Sequence, residues 1–214
     1  MTTAEDITEP KARATRPRGD ARRQQILDTA MELFAGGGFH TVTLADVANR
    51  VGITQAGLLH HFPSKAELLL AVLQERDRRN DQESEEDRTR GDGPLDWFLA
   101  ILERNERSPM LVQLMAILSA EALAEGHPGY DWFRDRQERS IRTVTRQLEP
   151  LLDESRLPDG VTAETVARWL IALADGARLQ WLHNPRAVSR HGLVGQFVAL
   201  LRPYLKDQDR EPDV

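Results

Sequence analysis

The chain of 214 residues contains no cysteine. Disulfides, thiolate–metal sites and thiol redox sensing are therefore excluded, and the absence fits a reducing compartment. No apolar run approaches the roughly 18 residues that span a membrane. The opening residues, MTTAEDITEP, lack the apolar stretch of a signal peptide. There is no E-x-x-H pair and no glycine-rich phosphate loop, so the usual marks of a metal or phosphate-transfer enzyme are missing. These absences lead to the expectation of a soluble cytoplasmic protein, not an enzyme, with no cofactor, no metal and no membrane partner.

What is present is charge, unevenly placed. The formal net charge is −6 and the pI about 5.6, which suits a nucleic-acid binder poorly if spread over the whole surface. It is concentrated instead. From Lys11 to Lys65 basic residues exceed acidic ones by about four, while Glu5, Asp6 and Glu9 lie before them and the chain from Ala66 onward holds about −7. A basic segment on an acidic body is the distribution expected of a DNA reader joined to a separate sensing domain.

Residues 1–19 are polar, with Pro10 and Pro17, and read as a flexible basic arm, either one that touches DNA backbone or minor groove or a merely solubilising tail. Asp20 is placed to cap a helix from Ala21 to about Ala35, whose apolar stripe is Ile26, Leu27, Ala30, Leu33 and Phe34. Gly36-Gly37-Gly38 stops it. Thr43 and Asp46 form an acidic capping box for a short helix carrying Leu44, Val47 and Ala48, which Gly52 ends. Thr54 caps a second short helix with Ala56, Leu58, Leu59 and Phe62. After Pro63, Ser64 and Glu67 open a long helix with a further capping box. Two short amphipathic helices joined by a tight turn make a helix-turn-helix, whose second helix enters a DNA major groove.

The long helix loses its apolar face after Leu73 and continues as a solvated charged run to about Arg88, where Gly91-Asp92-Gly93-Pro94 breaks it. Beyond lie helical segments without strand-like alternation. They run from Pro94 to about Arg107, from the Ser108-Pro109 start through an almost wholly apolar stretch, from Tyr130 to about Asp153, from a Thr162 cap to about Leu182, and from His191 to Tyr204. The fold class is all-α: an N-terminal three-helix helix-turn-helix domain over 20–64, a C-terminal helical bundle over 65–206, and a tail over 207–214. Val166, Leu170, Leu173, Ala174 and Ala177 form one apolar stripe, and Leu193, Phe197 and Leu200 another on the last helix. Ordinary intramolecular core explains part of these faces, and a symmetric four-helix homodimer interface explains more, because a helix-turn-helix generally reads paired half-sites.

With Ile26, Ala30, Leu33, Phe34, Gly38, Phe39, Thr43, Val47, Ala48, Val51-Gly52-Ile53-Thr54, Gly57, Leu59, Phe62, Ser64-Lys65 and Leu68 in order and spacing, the chain resembles the tetracycline-repressor (TetR/AcrR) family of one-component transcriptional regulators. The stretch Leu173 to Leu182, LADGARLQWL, is similar to the penultimate helix of a BetI-like subgroup. The resemblance implies that the bundle binds ligand and dimerises. It further implies a ligand-responsive homodimeric repressor, released from a palindromic double-stranded DNA operator by a small-molecule effector. Two positions depart from the family pattern. His60 stands where a tyrosine commonly touches a DNA phosphate, and Val51 replaces an alanine before the turn glycine. Histidine donates one hydrogen bond when neutral and carries charge when protonated, so it offers a replacement contact.

DNA contacts are expected at Thr43, Thr54, Gln55, Ala56, Gly57, His60, His61 and Lys65. Gln55 matches the donor and acceptor edge of adenine, Ala56 a thymine methyl, and Gly57 allows close approach to the backbone. Thr43 and Lys65 lie at helix N-termini, which favour phosphate. His60 and His61 are adjacent and point apart, so a metal site is not expected. The effector pocket is drawn from Trp97, Phe98, Leu114, Met115, Leu118, Phe133 and Trp181, with Arg178, Gln113, Glu121 and Gln180 as orienting polar groups and Asp175 paired to Arg178. Plain core packing competes with every apolar member of that set. Other readings share the sequence: a TetR-type activator, a non-sensing DNA binder, or an α-helical enzyme with a vestigial helix-turn-helix.

Overall fold

Side-chain caps set several helix starts in the computed structural model, which describes residues 16–87 and 95–206. The arm up to residue 15, the Gly91–Pro94 break and the tail over 207–214 lie outside the described residues. Helix α1 (Arg16–Thr41) begins before Asp20, which is therefore not its cap. A first turn tolerates proline because its N–H groups lack helical partners, so Pro17 is no barrier to the earlier start. The glycine stop is also later than expected. Gly36 and Gly37 stay helical, and the backbone breaks at Gly38, with φ 73° and ψ 178°.

Helices α2 (Leu44–Val51) and α3 (Gln55–His61) form the expected pair. The Thr43 side chain accepts from the Asp46 amide at 3.1 Å, and the Asp46 carboxylate accepts from the Thr43 amide at 2.7 Å. That reciprocal box is worth on the order of 1 kcal/mol. Gly52 closes α2 in the left-handed region, at φ 75° and ψ 38°. Helix α4 (Lys65–Asp87) opens with the Glu67 amide on the Ser64 hydroxyl at 3.1 Å.

In the body, α5 spans Asp96–Glu106, α6 Pro109–Glu121, α7 Tyr130–Leu148, α8 Ala163–His183 and α9 Arg190–Leu200. Ser108 holds the cap position of α6, but its side chain makes no capping bond. Helix α7 ends at Leu148 rather than near Asp153, because Pro150 has no N–H to continue the ladder and its ring crowds the preceding turn. Likewise α9 stops at Leu200, and a single 3₁₀ turn over Arg202–Tyr204 includes Pro203.

Most of the buried apolar residues fall into two clusters. One joins α1 to α4 with Leu114, Met115 and Leu118 of α6, so the reading head and the body share a core. The other is built from α5, α7, α8 and α9. This arrangement corrects the expected dimer face. Val166, Leu170, Ala174 and Ala177 are at most 6% exposed inside one chain, so they face its own core and have no surface left for a partner. A different stripe of α8 is the outward one. Trp169 and Leu179 are 46% and 50% exposed, with Ala172 and Gly176 exposed between them. Leu173, Leu193 and Phe197 are half-buried, and Leu200 is exposed.

An ionic tie fixes α4 on α1. The Glu75 carboxylate, buried on α4, accepts from Arg78 at 2.8 Å and from Arg79 at 2.7 Å, and Arg79 reaches Asp28 of α1 at 2.5 Å. The Arg78 hydrogen bond outweighs desolvation and holds the Glu75 pKa down to about 2 from its ordinary 4.5. A depressed folded-state pKa stabilises fully above pH 4.5, and that stabilisation is lost as the pH falls toward 2. Glu75→Gln is expected to flatten this part of the acid limb in urea titrations at successive pH values. An unchanged slope would count against the tie.

Candidate nucleic-acid interface

The second short helix offers a continuous exposed face. Thr54, Gln55, Ala56 and His60 are exposed, Gly57 and His61 are half-buried, and Leu58 faces the core. Thr54 caps the helix by accepting from the Gly57 amide at 3.1 Å. Its hydroxyl is engaged locally, whereas the Gln55 side chain is exposed. Thr43 is exposed at the start of α2. Despite being sequence neighbours, His60 and His61 do not diverge fully. Their rings meet edge-on at 5.8 Å. Arg23 of α1, unmarked by any sequence motif, lies 4.9 Å over the Phe62 ring beside the end of α3 and adds exposed positive charge there.

Lys65 is placed differently from a free phosphate ligand. Its ammonium lies 4.5 Å over the Phe39 ring and 3.4 Å from the His40 carbonyl. Burial lowers its pKa, against the pull of Glu121 and Asp46.

That lysine belongs to a joint between head and body. Glu121, at the end of α6, accepts the Phe39 amide at 2.7 Å and the His40 amide at 3.5 Å. It therefore holds the turn between α1 and α2. The buried His127 packs against both rings, 5.0 Å from Phe39 and 5.7 Å from His40. Its Nδ1 accepts the Gly129 amide at 3.0 Å. No local pattern announces this contact, since Glu121 is 82 residues from Phe39.

The expected pocket residues do not converge. Leu114, Met115 and Leu118 are closed inside the first core with Phe133 packed on it, and Trp97 and Phe98 lie against the second, 5.6 Å apart. Leu114 and Leu118 are completely buried, so core packing accounts for them. Arg178 pairs with Asp175 at 3.4 Å, as the sequence suggested, and Trp181 is buried three residues further along α8. Gln113 contributes to a groove of about 350 Å³ between α6 and α8, together with Ala116, Ile117, Leu179, Leu182 and His183. Gln180 is exposed. No helix among the described residues is long and apolar enough to cross a membrane.

Residues 26–72 match the model of bacterial regulatory proteins of the tetR family, and residues 96–209 match that of BetI-type transcriptional repressors, C-terminal part. Over 196 residues the chain is 26% identical to the HTH-type transcriptional regulator SrpR of Pseudomonas putida, covering 89% of this chain and 90% of that protein. It is 29% identical over 156 residues to the HTH-type transcriptional repressor KstR of Rhodococcus jostii, with 70% and 73% covered. A transcriptional regulator from Saccharomonospora viridis, solved in complex with choline, shares the fold with a TM-score of 0.70 at 22% identity, over 88% of this chain and 100% of that one. Together with the helix-turn-helix head and the helical body, these matches place the chain in the TetR family of bacterial transcriptional regulators, with a BetI-type C-terminal half.

Proposed function

We propose that the protein is a homodimeric repressor that binds a near-palindromic double-stranded DNA operator and is released from it by a small molecule. The exposed face of α3 reads the major groove. Gln55 contacts a base edge, Ala56 a thymine methyl, and His60 takes the place of a phosphate-binding tyrosine. Thr43, Thr54 and His61 lie along the backbone, and Gly57 lets it come close. Lys65 adds charge from the joint. The revised face of α8, Trp169, Ala172, Gly176 and Leu179, joins Leu200 of α9 in pairing two copies. Two heads then lie about one helical turn apart, roughly 34–36 Å.

The observation that carries this reading is the shared core and the Glu121 contact. Leu114, Met115 and Leu118 of α6 are packed among head residues, and Glu121 grips the turn before α2. A ligand that favours one position of α6 therefore biases the placement of the head, provided that it binds the two states unequally. Gel-shift titration with the DNA flanking its own gene tests the function, and affinity is expected to fall steeply with salt. Gln55→Ala is expected to weaken the preferred site by about 1–3 kcal/mol while hardly changing random-sequence binding. Equal loss on both DNAs would remove Gln55 from base reading.

A further inference from the structure

The body contains buried positive charge that neither core packing nor the head accounts for. Arg76 of α4, Arg136 of α7, Arg178 of α8 and Arg190 at the start of α9 are close enough for their charges to interact. Arg178 bears on Arg76 and Arg190, and Arg136 bears on Arg76 and Arg178. Desolvation is the larger influence on Arg76 and Arg190 and brings each to about 10, so both remain charged at neutral pH.

Acidic partners are oversubscribed. Asp77 is shared by Arg76 at 3.2 Å, Arg136 at 3.0 Å and Arg139 at 3.8 Å. Glu106, the acid whose charge most favours Arg190, uses one oxygen on the α9 amides of Arg190 and His191, at 2.6 and 3.1 Å, and the other on the His191 ring. Two nitrogens of the Arg190 guanidinium, Nε and Nη1, are left without an acceptor. The residue is 6% exposed, and its Nε and Nη1 are buried without a hydrogen-bond partner, as is the Nε of Arg178. Buried charged donors of this kind are costly unless an anion completes them.

We propose that the effector is an amphipathic anion whose carboxylate or phosphate is bound by Arg178 and Arg190 inside the body, with its apolar part along the inward face of α8 at Trp181. The proposal rests on the reading of the body as effector-sensing. The planar guanidinium fork suits either oxyanion. Trp181 follows Arg178 by three residues and is buried, so it puts an apolar ring on the same side of α8 as the charge. A small hydrated anion gains nothing from that surface, and a cation is repelled by the same arginines.

Differential scanning fluorimetry and operator gel shifts of the full chain, with submicellar decanoate, decyl phosphate, decanol and decyltrimethylammonium, test it. At about a hundredfold its Kd, an anion is expected to raise Tm by roughly 5–10 °C and to release operator. Decanol and the ammonium are expected to do neither. The better of decanoate and decyl phosphate identifies the head group. Arg190→Met and Arg178→Met are each expected to abolish the shift. Ligand-free Tm and operator affinity should be retained in Arg190→Met, because buried nitrogens without acceptors are replaced by an apolar chain. An equal response to decanol or the ammonium, a response that survives both substitutions, or no response to either anion overturns the proposal. An anion-induced Tm shift that the arginine variants lose, without operator release, supports the anion site and refutes its role as the sensor. Release by the ammonium alone refutes the anion and leaves the regulator reading intact.

Discussion

Gly38→Ala is expected to lower stability by about 3 kcal/mol, or roughly 6–12 °C in Tm, and to weaken operator binding. Two effects combine at this residue. With φ 73° and ψ 178°, Gly38 occupies backbone space that a side chain hardly tolerates, and a Cβ there would fall on the Glu121 carboxylate. Glu121 is flexible enough to swing away, but only by releasing the Phe39 and His40 amides. A double-mutant cycle with Glu121→Ala separates the two. If the carboxylate contact matters, the second substitution costs much less in the Gly38→Ala background than in the natural chain. Full additivity would leave backbone strain as the whole explanation of the Gly38→Ala loss.

Leu179→Glu is expected to give a folded monomer that has lost about a hundredfold or more in operator affinity, since two linked heads gain that much over one. Sedimentation velocity and gel shift read the two effects separately. Leu179 is half exposed in the single chain, so the carboxylate meets water in the monomer and an apolar partner only in the dimer. Leu170→Ala makes the opposing case. Leu170 is fully buried in its own chain, and its truncation is expected to cost about 2–5 kcal/mol of stability while dimers persist. A dimeric Leu179→Glu variant with normal DNA binding would show that another surface pairs the copies.

The contrast between these leucines shows where sequence reasoning stopped. Positions 166, 170, 174 and 177 and positions 169, 172, 176 and 179 both have helical spacing, and both are small or apolar. Periodicity establishes that α8 is a helix with a wide apolar surface, but it cannot say which side α7 and α9 cover. Placing the pocket meets a related limit. Leu114 and Leu118 have the composition of a ligand-lining face, yet the chain folds so that α1 fills the space beside them. Arg190 attracted no notice because an arginine at a helix start is ordinary. Only burial that leaves two of its nitrogens without an acceptor makes it unusual.

The sequence by itself determined the elements whose causes lie within a few residues. The Thr43–Asp46 box, the Thr54 cap, the left-handed Gly52 and the break at Pro150 are decided by neighbours, and so is the helix-turn-helix that they frame. Tertiary structure decided what depends on residues far apart along the chain. It set the inward face of α8, the grip of Glu121 on Phe39 across 82 residues, and the meeting of four arginines from four helices. Caps and turns are local hydrogen-bond choices. Faces, joints and buried charge depend on which helices exclude water from one another, and that is settled only when the helices pack.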